Sequence, residues 1–272
     1  MTGGLYVGLA RTESVGTAAA MTPLIITFVV LTVALIAFAV APRMVKRTVV
    51  FAGTPDQPKP FGYGMSWLAL KTTDTAAVIS CLELTDTKPA NWNSGIGTIY
   101  DSKLSDGYVF ISPPVKGWTL VAGVPLPQPV GRSFIDKLSP MLTVLSQRFT
   151  DVQYFAAFPI IDYFGWARLQ RGKLVRVFVI GDDGVISNRG RLTQEERALG
   201  LKLYDLRGIK DRRGDAGGAI VLYPTEEQVV RLARAWSLDP IGLDKLKVEP
   251  GTGVIARAPS SWRAERIKKQ AA

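Results

Sequence analysis

From Leu24 to Ala41 the chain carries no charged residue, reading L-I-I-T-F-V-V-L-T-V-A-L-I-A-F-A-V-A. Pro42 closes the run, and Arg43, Lys46 and Arg47 follow at once. Eighteen residues at a helical rise of about 1.5 Å reach about 27 Å, close to the hydrocarbon thickness of a bilayer. The run is apolar all round, with no polar stripe, so an amphipathic core helix fits it poorly. A cleaved signal peptide is the other alternative, because Ala37-Phe38-Ala39 and Ala39-Val40-Ala41 have small-x-small spacing. Yet only Arg11 precedes the run as a cation, offset by Glu13, and the dense positive cluster follows it. Lys and Arg are retained on the cytoplasmic side of a membrane. The expectation is a single-pass transmembrane helix over residues 24–42, N-terminus out and C-terminus in. A secreted protein is the alternative if the segment is a signal peptide. Met21 is a second candidate start.

The remainder divides into a Gly-, Ala-, Thr- and Ser-rich lead at 1–23, a basic juxtamembrane segment and Pro-rich linker at 43–61, a globular domain at 62–258 and a basic tail at 259–272. The linker, Gly53-Thr54-Pro55-Asp56-Gln57-Pro58-Lys59-Pro60, reads as extended and semi-rigid.

Chemistry is bounded by what is missing. The chain has no histidine and one cysteine, Cys81. Ser-His-Asp and Cys-His catalysis are excluded, with most transition-metal sites. No intramolecular disulfide is possible, in agreement with a reducing compartment. Cys81 falls in an apolar helical pattern and reads as a structural thiol. Net charge is +10, distributed as +3 over residues 1–60, +2 over 61–200 and +5 over 201–272. In the tail, Arg263, Arg266, Lys268 and Lys269 join the juxtamembrane Arg43, Lys46 and Arg47 as candidates for contact with anionic lipid. A solvated, frayed tail explains the same residues equally well. Nucleic acid is the weakest partner class, because no recognition motif accompanies the charge.

Along the domain, Met65–Leu70 reads as a strand. Thr73 or Asp74 then caps a helix with Ala77, Val78, Cys81 and Leu82 on its apolar face. A loop is expected around Trp92 and Gly95-Ile96-Gly97. Strands at 108–112 and 118–122 flank a turn at 113–117 and suit a hairpin. Phe134, Leu138, Met141, Leu142, Leu145 and Phe149 share a helical face, with Ser139 as cap and Pro140 at the first position. Three closely joined strands at 152–158, 161–169 and 174–180 imply antiparallel pairing. Thr193-x-x-Glu196 and Thr225-x-x-Gln228 are capping boxes opening two helices, the second burying Val229, Leu232, Ala233 and Trp236. Residues 207–218 read as a mobile loop. The fold class expected is α+β, a mainly antiparallel sheet with helices packed on one side.

Asp182-Asp183-Gly184 reads as a hairpin turn rather than a cation loop. Glu195-Glu196 and Glu226-Glu227 lie in first helical turns, where the helix dipole favours carboxylates. Gly62-x-Gly64 and Gly95-x-Gly97 lack the rest of a phosphate-binding fingerprint, so no cofactor is expected. Ser66, Ser112 and Ser133 have no base in view. Of the six tryptophans, Trp67, Trp118, Trp166, Trp236 and Trp262 read as core. Trp92 is the candidate for an exposed contact or pocket rim, with Asn91, Asn93 and Tyr100 as its polar company.

Several stretches resemble an uncharacterised family of soluble bacterial proteins. They are Leu70-Lys71-Thr72-Thr73-Asp74, Trp92 with Gly95-Ile96, Val109-Phe110-Ile111-Ser112-Pro113-Pro114-Val115 with Gly117-Trp118-Thr119, Val152-Gln153-Tyr154-Phe155, and Ala235-Trp236-Ser237-Leu238-Asp239-Pro240. Together they span residues 67–256. The Trp-Ser-Leu-Asp-Pro element is the most specific. The resemblance implies a compact α+β fold with no established activity, and no functional residue follows from it. The resulting expectation is a bacterial inner-membrane protein whose cytoplasmic-side domain binds a protein partner without catalysis, in an immunity-like or accessory role. A carboxylate-based enzyme or small-ligand domain, with its pocket near Trp92, is the competing reading.

Overall fold

The computed structural model describes residues 26–36, 51–129, 131, 133–182, 184–201 and 223–267. The chain forms two compact units, Met1–Val50 and Phe51–Ala272. In the first, residues 26–36 form a helix, α1, whose large apolar side chains are exposed from Ile26 to Ile36. Thr32 satisfies its hydroxyl by donating to the Phe28 carbonyl at 2.8 Å. Among the described residues no helix is long and apolar enough to cross a membrane. The rest of 24–42, with Arg43, Lys46 and Arg47, lies outside the described residues, as do Lys268, Lys269 and the expected loop at 207–218.

The second unit is built on a nine-stranded sheet in the order β2-β9-β3-β4-β1-β5-β6-β7-β8. Its strands are β1 (Met65–Leu70), β2 (Thr85–Asn91), β3 (Tyr108–Ile111), β4 (Thr119–Ala122), β5 (Asp151–Phe158), β6 (Tyr163–Gln170), β7 (Lys173–Gly181), β8 (Gly184–Gly190) and β9 (Thr252–Arg257). Every pairing is antiparallel. The helices of this unit are α2 (Thr75–Cys81), α3 (Trp92–Ile99), α4 (Leu138–Arg148), α5 (Gln194–Ala198) and α6 (Glu226–Trp236). The α+β class and the antiparallel sheet therefore hold.

Helices on one side do not. In β1 every residue is buried, so both faces of the central sheet must be covered. The period-2 alternation sends Trp67 and Ala69 to one core layer, with residues of α3 and α6. Leu68 and Leu70 go to the other, with Val78 of α2 and Leu138, Leu142 and Leu145 of α4. The first layer is aromatic. Trp67 stacks on Phe155 at 5.2 Å, Phe155 meets Trp236 at 5.6 Å, and Trp166 stacks on Phe178 at 4.7 Å. The second is mainly aliphatic.

The local signals are largely obeyed. Asp74 caps α2 by accepting from the Ala77 N–H at 2.9 Å, and both capping boxes form. Glu196 does more than favour a dipole. It is fully buried, accepting from Trp166 Nε1 at 2.9 Å and Arg176 Nε at 2.7 Å. The Arg176 guanidinium also donates to Asn188 Oδ1 at 2.7 Å. This pinned ion pair ties α5 to the sheet.

Four expectations are corrected, at the two ends of the globular unit and at the start of α4. Residues 51–61 are part of the fold rather than a free linker. Asp56 pairs with Gly251 in an isolated bridge, and the Asn91 N–H donates to the Ala52 carbonyl at 2.7 Å. Ser139 does not cap α4; the helix starts at Leu138, and Asp136 accepts from the Ser139 N–H at 3.0 Å. Phe134 lies before the helix and pairs with Arg266. The tail is docked through residue 267, with Ile135 N–H donating to the Glu265 carbonyl at 2.9 Å and Ile267 N–H to the Ser133 carbonyl at 2.9 Å.

Candidate functional site

The expected loop at Trp92 is a strand followed by a helix, and its residues are committed to the fold. A helix begins with unsatisfied N–H groups. Here the Asp56 carboxylate takes those of Trp92 at 2.7 Å and Asn93 at 3.0 Å, and the Asn91 side chain takes that of Ser94 at 3.0 Å. Asn91 also donates through Nδ2 to the Thr54 carbonyl at 2.9 Å. Its polar atoms are occupied by backbone, so it serves as a cap. Trp92 is 1% exposed and packs edge-on against Phe110 at 5.4 Å. It forms no pocket rim, and a ligand site centred on it is overturned. Asn93 is exposed on the first turn of α3.

Gly95 has a packing role. A Cβ there would lie 2.2 Å from the Phe110 ring, and one at Gly253 of β9 would lie 2.3 Å from the Ile111 carbonyl oxygen. The two glycines let α3 and β9 close around Phe110. That close approach accounts for Gly95 without any phosphate, while a Cβ at Gly97 would meet nothing within 4 Å.

Tyr100, at the far end of α3, is half exposed and holds the loop that carries Tyr63. Its hydroxyl accepts from the Gly62 N–H at 3.2 Å and donates to the Tyr63 carbonyl at 2.9 Å. Burial pushes its phenol above the usual tyrosine range. The two backbone hydrogen bonds oppose that, and the Glu226 charge adds to it. The loop it holds, Phe61–Gly64, is held twice more. Gly64 N–H donates to Glu226 Oε1 at 3.0 Å, and Phe61 N–H donates to the Pro240 carbonyl at 3.1 Å. Gly62 and Gly64 both have positive φ, at 122° and 65°, which a side chain would resist. The Trp-Ser-Leu-Asp-Pro element thus has a concrete task. Trp236 ends α6 in the aromatic layer, and Pro240 supports the loop that carries Tyr63.

Tyr63 walls a hollow of about 470 Å³ with Pro159, Asp162, Phe164, Tyr223, Pro224, Thr225, Glu226 and Glu227. Three separate segments meet there: the loop into β1, the β5–β6 turn with the start of β6, and the run from Tyr223 into the first turn of α6. The walls are set in place. Tyr223 donates to the carbonyls of Gly181 and Asp182 at 3.2 and 3.3 Å, and Asp162 adopts a left-handed conformation closing the 3-10 turn Pro159–Ile161. That turn carries the chain's most exposed large apolar residue among those described, Ile160, at 98%, with Ile161 at 59%. Tyr63 and Tyr100 are half exposed. In the sequence, Thr225, Glu226 and Glu227 show only as a helix start, and no motif links them to Tyr63, Asp162 or Tyr223.

A larger hollow of about 710 Å³ lies between the β4–α4 connection and the docked tail. It places Arg263 beside Lys137, Arg257, Glu83 and Asp106. Lys137 pairs with Glu265 at 3.3 Å, and Arg257 meets Asp86 at 3.9 Å and the Tyr108 hydroxyl at 2.8 Å. Its charges are of both signs and several are spent on each other. Arg266 lies over the Phe134 ring at 5.6 Å, exposed.

Ser66 and Ser112 are committed to internal hydrogen bonds. Ser66 is buried 3.3 Å from the Tyr154 hydroxyl. Burial drives the Tyr154 and Tyr163 phenols well above their ordinary range, so neither supplies a base at neutral pH. Ser112 accepts from the Leu120 N–H at 3.0 Å. Among the described residues no group of three or more Cys, Asp or Glu side chains could hold a metal. No family model, no curated protein and no solved structure matches this chain, so only its own geometry bears on what the hollow does.

Proposed function

We propose that this chain is a non-enzymatic, membrane-tethered binding protein, anchored through residues 24–42, whose globular unit receives a protein partner at the hollow beside Tyr63 and Ile160. The observation that carries the partner reading is Ile160. An isoleucine at 98% exposure, next to Ile161 and a concave wall of Tyr63, Phe164 and Tyr223, leaves apolar surface in water that a partner would remove. The tether reading is supported by the uninterrupted apolar run, the exposed side chains of α1 and the cations that follow it. Those cations favour the cytoplasmic side.

Two experiments test the proposal. Photo-reactive benzoylphenylalanine replaces Ile160 in cells, with Val144, exposed on α4, as the control position. A discrete protein adduct is expected at 160 and not at 144, and Ile161→Ser is expected to abolish it. Identical adducts at both positions overturn the binding reading. A reporter fused after residue 60 is expected to be active only in the cytoplasm, and activity only outside overturns the topology.

A further inference from the structure

Resting on that reading of the hollow, we infer that the partner segment it takes is cationic and apolar: a Lys or Arg set beside a large apolar side chain. The chain as a whole is +10, yet the charged residues lining this hollow are Asp162, Glu226 and Glu227. Among the described residues none of the three has an ion-pair partner; Glu226 spends one oxygen on the Gly64 N–H. On α6 the nearest cations are Arg231, which stands four residues after Glu227 but makes no ion pair with it, and Arg234, which faces Asp239 at 3.9 Å. The α6 N-terminus favours carboxylates at Glu226 and Glu227 and offsets part of their charge, but that effect does not extend to Asp162 on the β5–β6 turn. The apolar half of the surface is Tyr63, Pro159, Phe164 and Tyr223, with the exposed Ile160 and Ile161 on the turn between two lining residues, Pro159 and Asp162. Tyrosines near carboxylates suit a cation on an aliphatic stem, which lays its methylenes on the rings and its charge at the rim. The same carboxylates oppose an anionic lipid surface, so the exposed isoleucines are assigned to a protein rather than to the bilayer.

The probe is a set of labelled octapeptides, Gly-Ser-Leu-Lys-Leu-Lys-Ser-Gly and its counterparts with Glu or Gln in place of Lys. Binding to the full chain in zwitterionic nanodiscs is read by anisotropy against empty nanodiscs. The Lys peptide is expected to bind about fivefold or more tighter than either counterpart, and less tightly as salt rises. Asp162→Asn with Glu227→Gln is expected to remove that preference while lowering the urea midpoint only slightly, through the lost interaction of Glu227 with the α6 N-terminus. Glu226 is left alone because it holds Gly64. Equal affinity for the Lys and Gln peptides, still lost on Ile160→Ser, overturns the charge preference and leaves the protein-binding reading standing. No binding by any peptide at millimolar concentration also overturns the inference, and the cross-linking experiment then judges the reading alone. Cross-linking from position 160 to phospholipid in anionic nanodiscs overturns both in favour of a membrane contact.

Discussion

The two ends of α3 face opposite fates. At its N-terminus, Asn91 and Asp56 turn their side-chain oxygens on three backbone N–H groups, and Trp92 disappears into the aromatic layer. At its C-terminus, Tyr100 reaches the loop of Tyr63, beside a hollow where carboxylates and apolar side chains face solvent. Both regions contain an aromatic with polar residues around it. They differ in whether the polar groups are already used. Asparagine and aspartate whose hydrogen bonds end on the protein's own backbone are structural. Carboxylates left without a cation, beside exposed isoleucine, mark a surface with binding capacity to spare.

That contrast breaks most directly at Trp92. Trp92→Ala is expected to destabilise the globular unit by about 3–5 kcal/mol, as for other buried large aromatics, measured by urea denaturation. A loss under about 1 kcal/mol would return Trp92 to the surface. Gly95→Ala comes next, with a loss of about 1–3 kcal/mol from overpacking against Phe110. A neutral outcome would mean that α3 can shift off the sheet. Asp56→Ala removes the carboxylate cap of α3 and is expected to cost about 0.5–2 kcal/mol. Hydrogen exchange should rise first at the amides of Trp92 and Asn93.

Tyr100 connects the two ends and gives a pH signature. Its phenol is raised in the folded chain above the unfolded value of 10.0. Its contribution is therefore fully present below pH 10 and is lost as pH rises through the folded value. Urea midpoints of the wild type relative to Tyr100→Phe are expected to stay level from pH 7 to about 9 and to fall above about 10. A difference that grows with pH would contradict the burial of that hydroxyl. The smallest effect on stability belongs to the open end. Ile160→Ser is expected to move stability by no more than about 0.5 kcal/mol, while abolishing partner capture. A large destabilisation would mean that Ile160 packs within the fold.

Much of the fold was legible because its signals are local. Met65–Leu70, the strands of the β5–β6–β7 meander, the cap at Asp74 and both capping boxes each depend on a few neighbouring residues. β2 was hidden by its own protection. Lys88, Pro89 and Asp86 are residues that keep an edge strand from pairing further, and they give no strand pattern in the sequence. β8, the other edge, reads Gly-Val-Ile-Ser-Asn-Arg-Gly, mixed in polarity and closed by glycines at both ends. β9 was missed because its place between β2 and β3 is set by partners more than a hundred residues away. The helices on the second face followed from the same cause: a strand's alternation says that two faces differ, not which helix covers which.

By itself, the sequence determined the apolar run at Leu24–Ala41, the exclusion of histidine chemistry and disulfides, the α+β class and the starts of α2, α5 and α6. Those properties rest on composition or on contacts within a few residues. Only the tertiary structure decided that Trp92 is core, that residues 51–61 belong to the fold, and that Tyr63, Asp162, Tyr223 and Glu227 share one hollow. Burial and charge clustering arise from segments far apart in the chain, and which segments meet is fixed by the packing of the sheet. A single tryptophan reads the same in sequence whether its ring faces Phe110 or water.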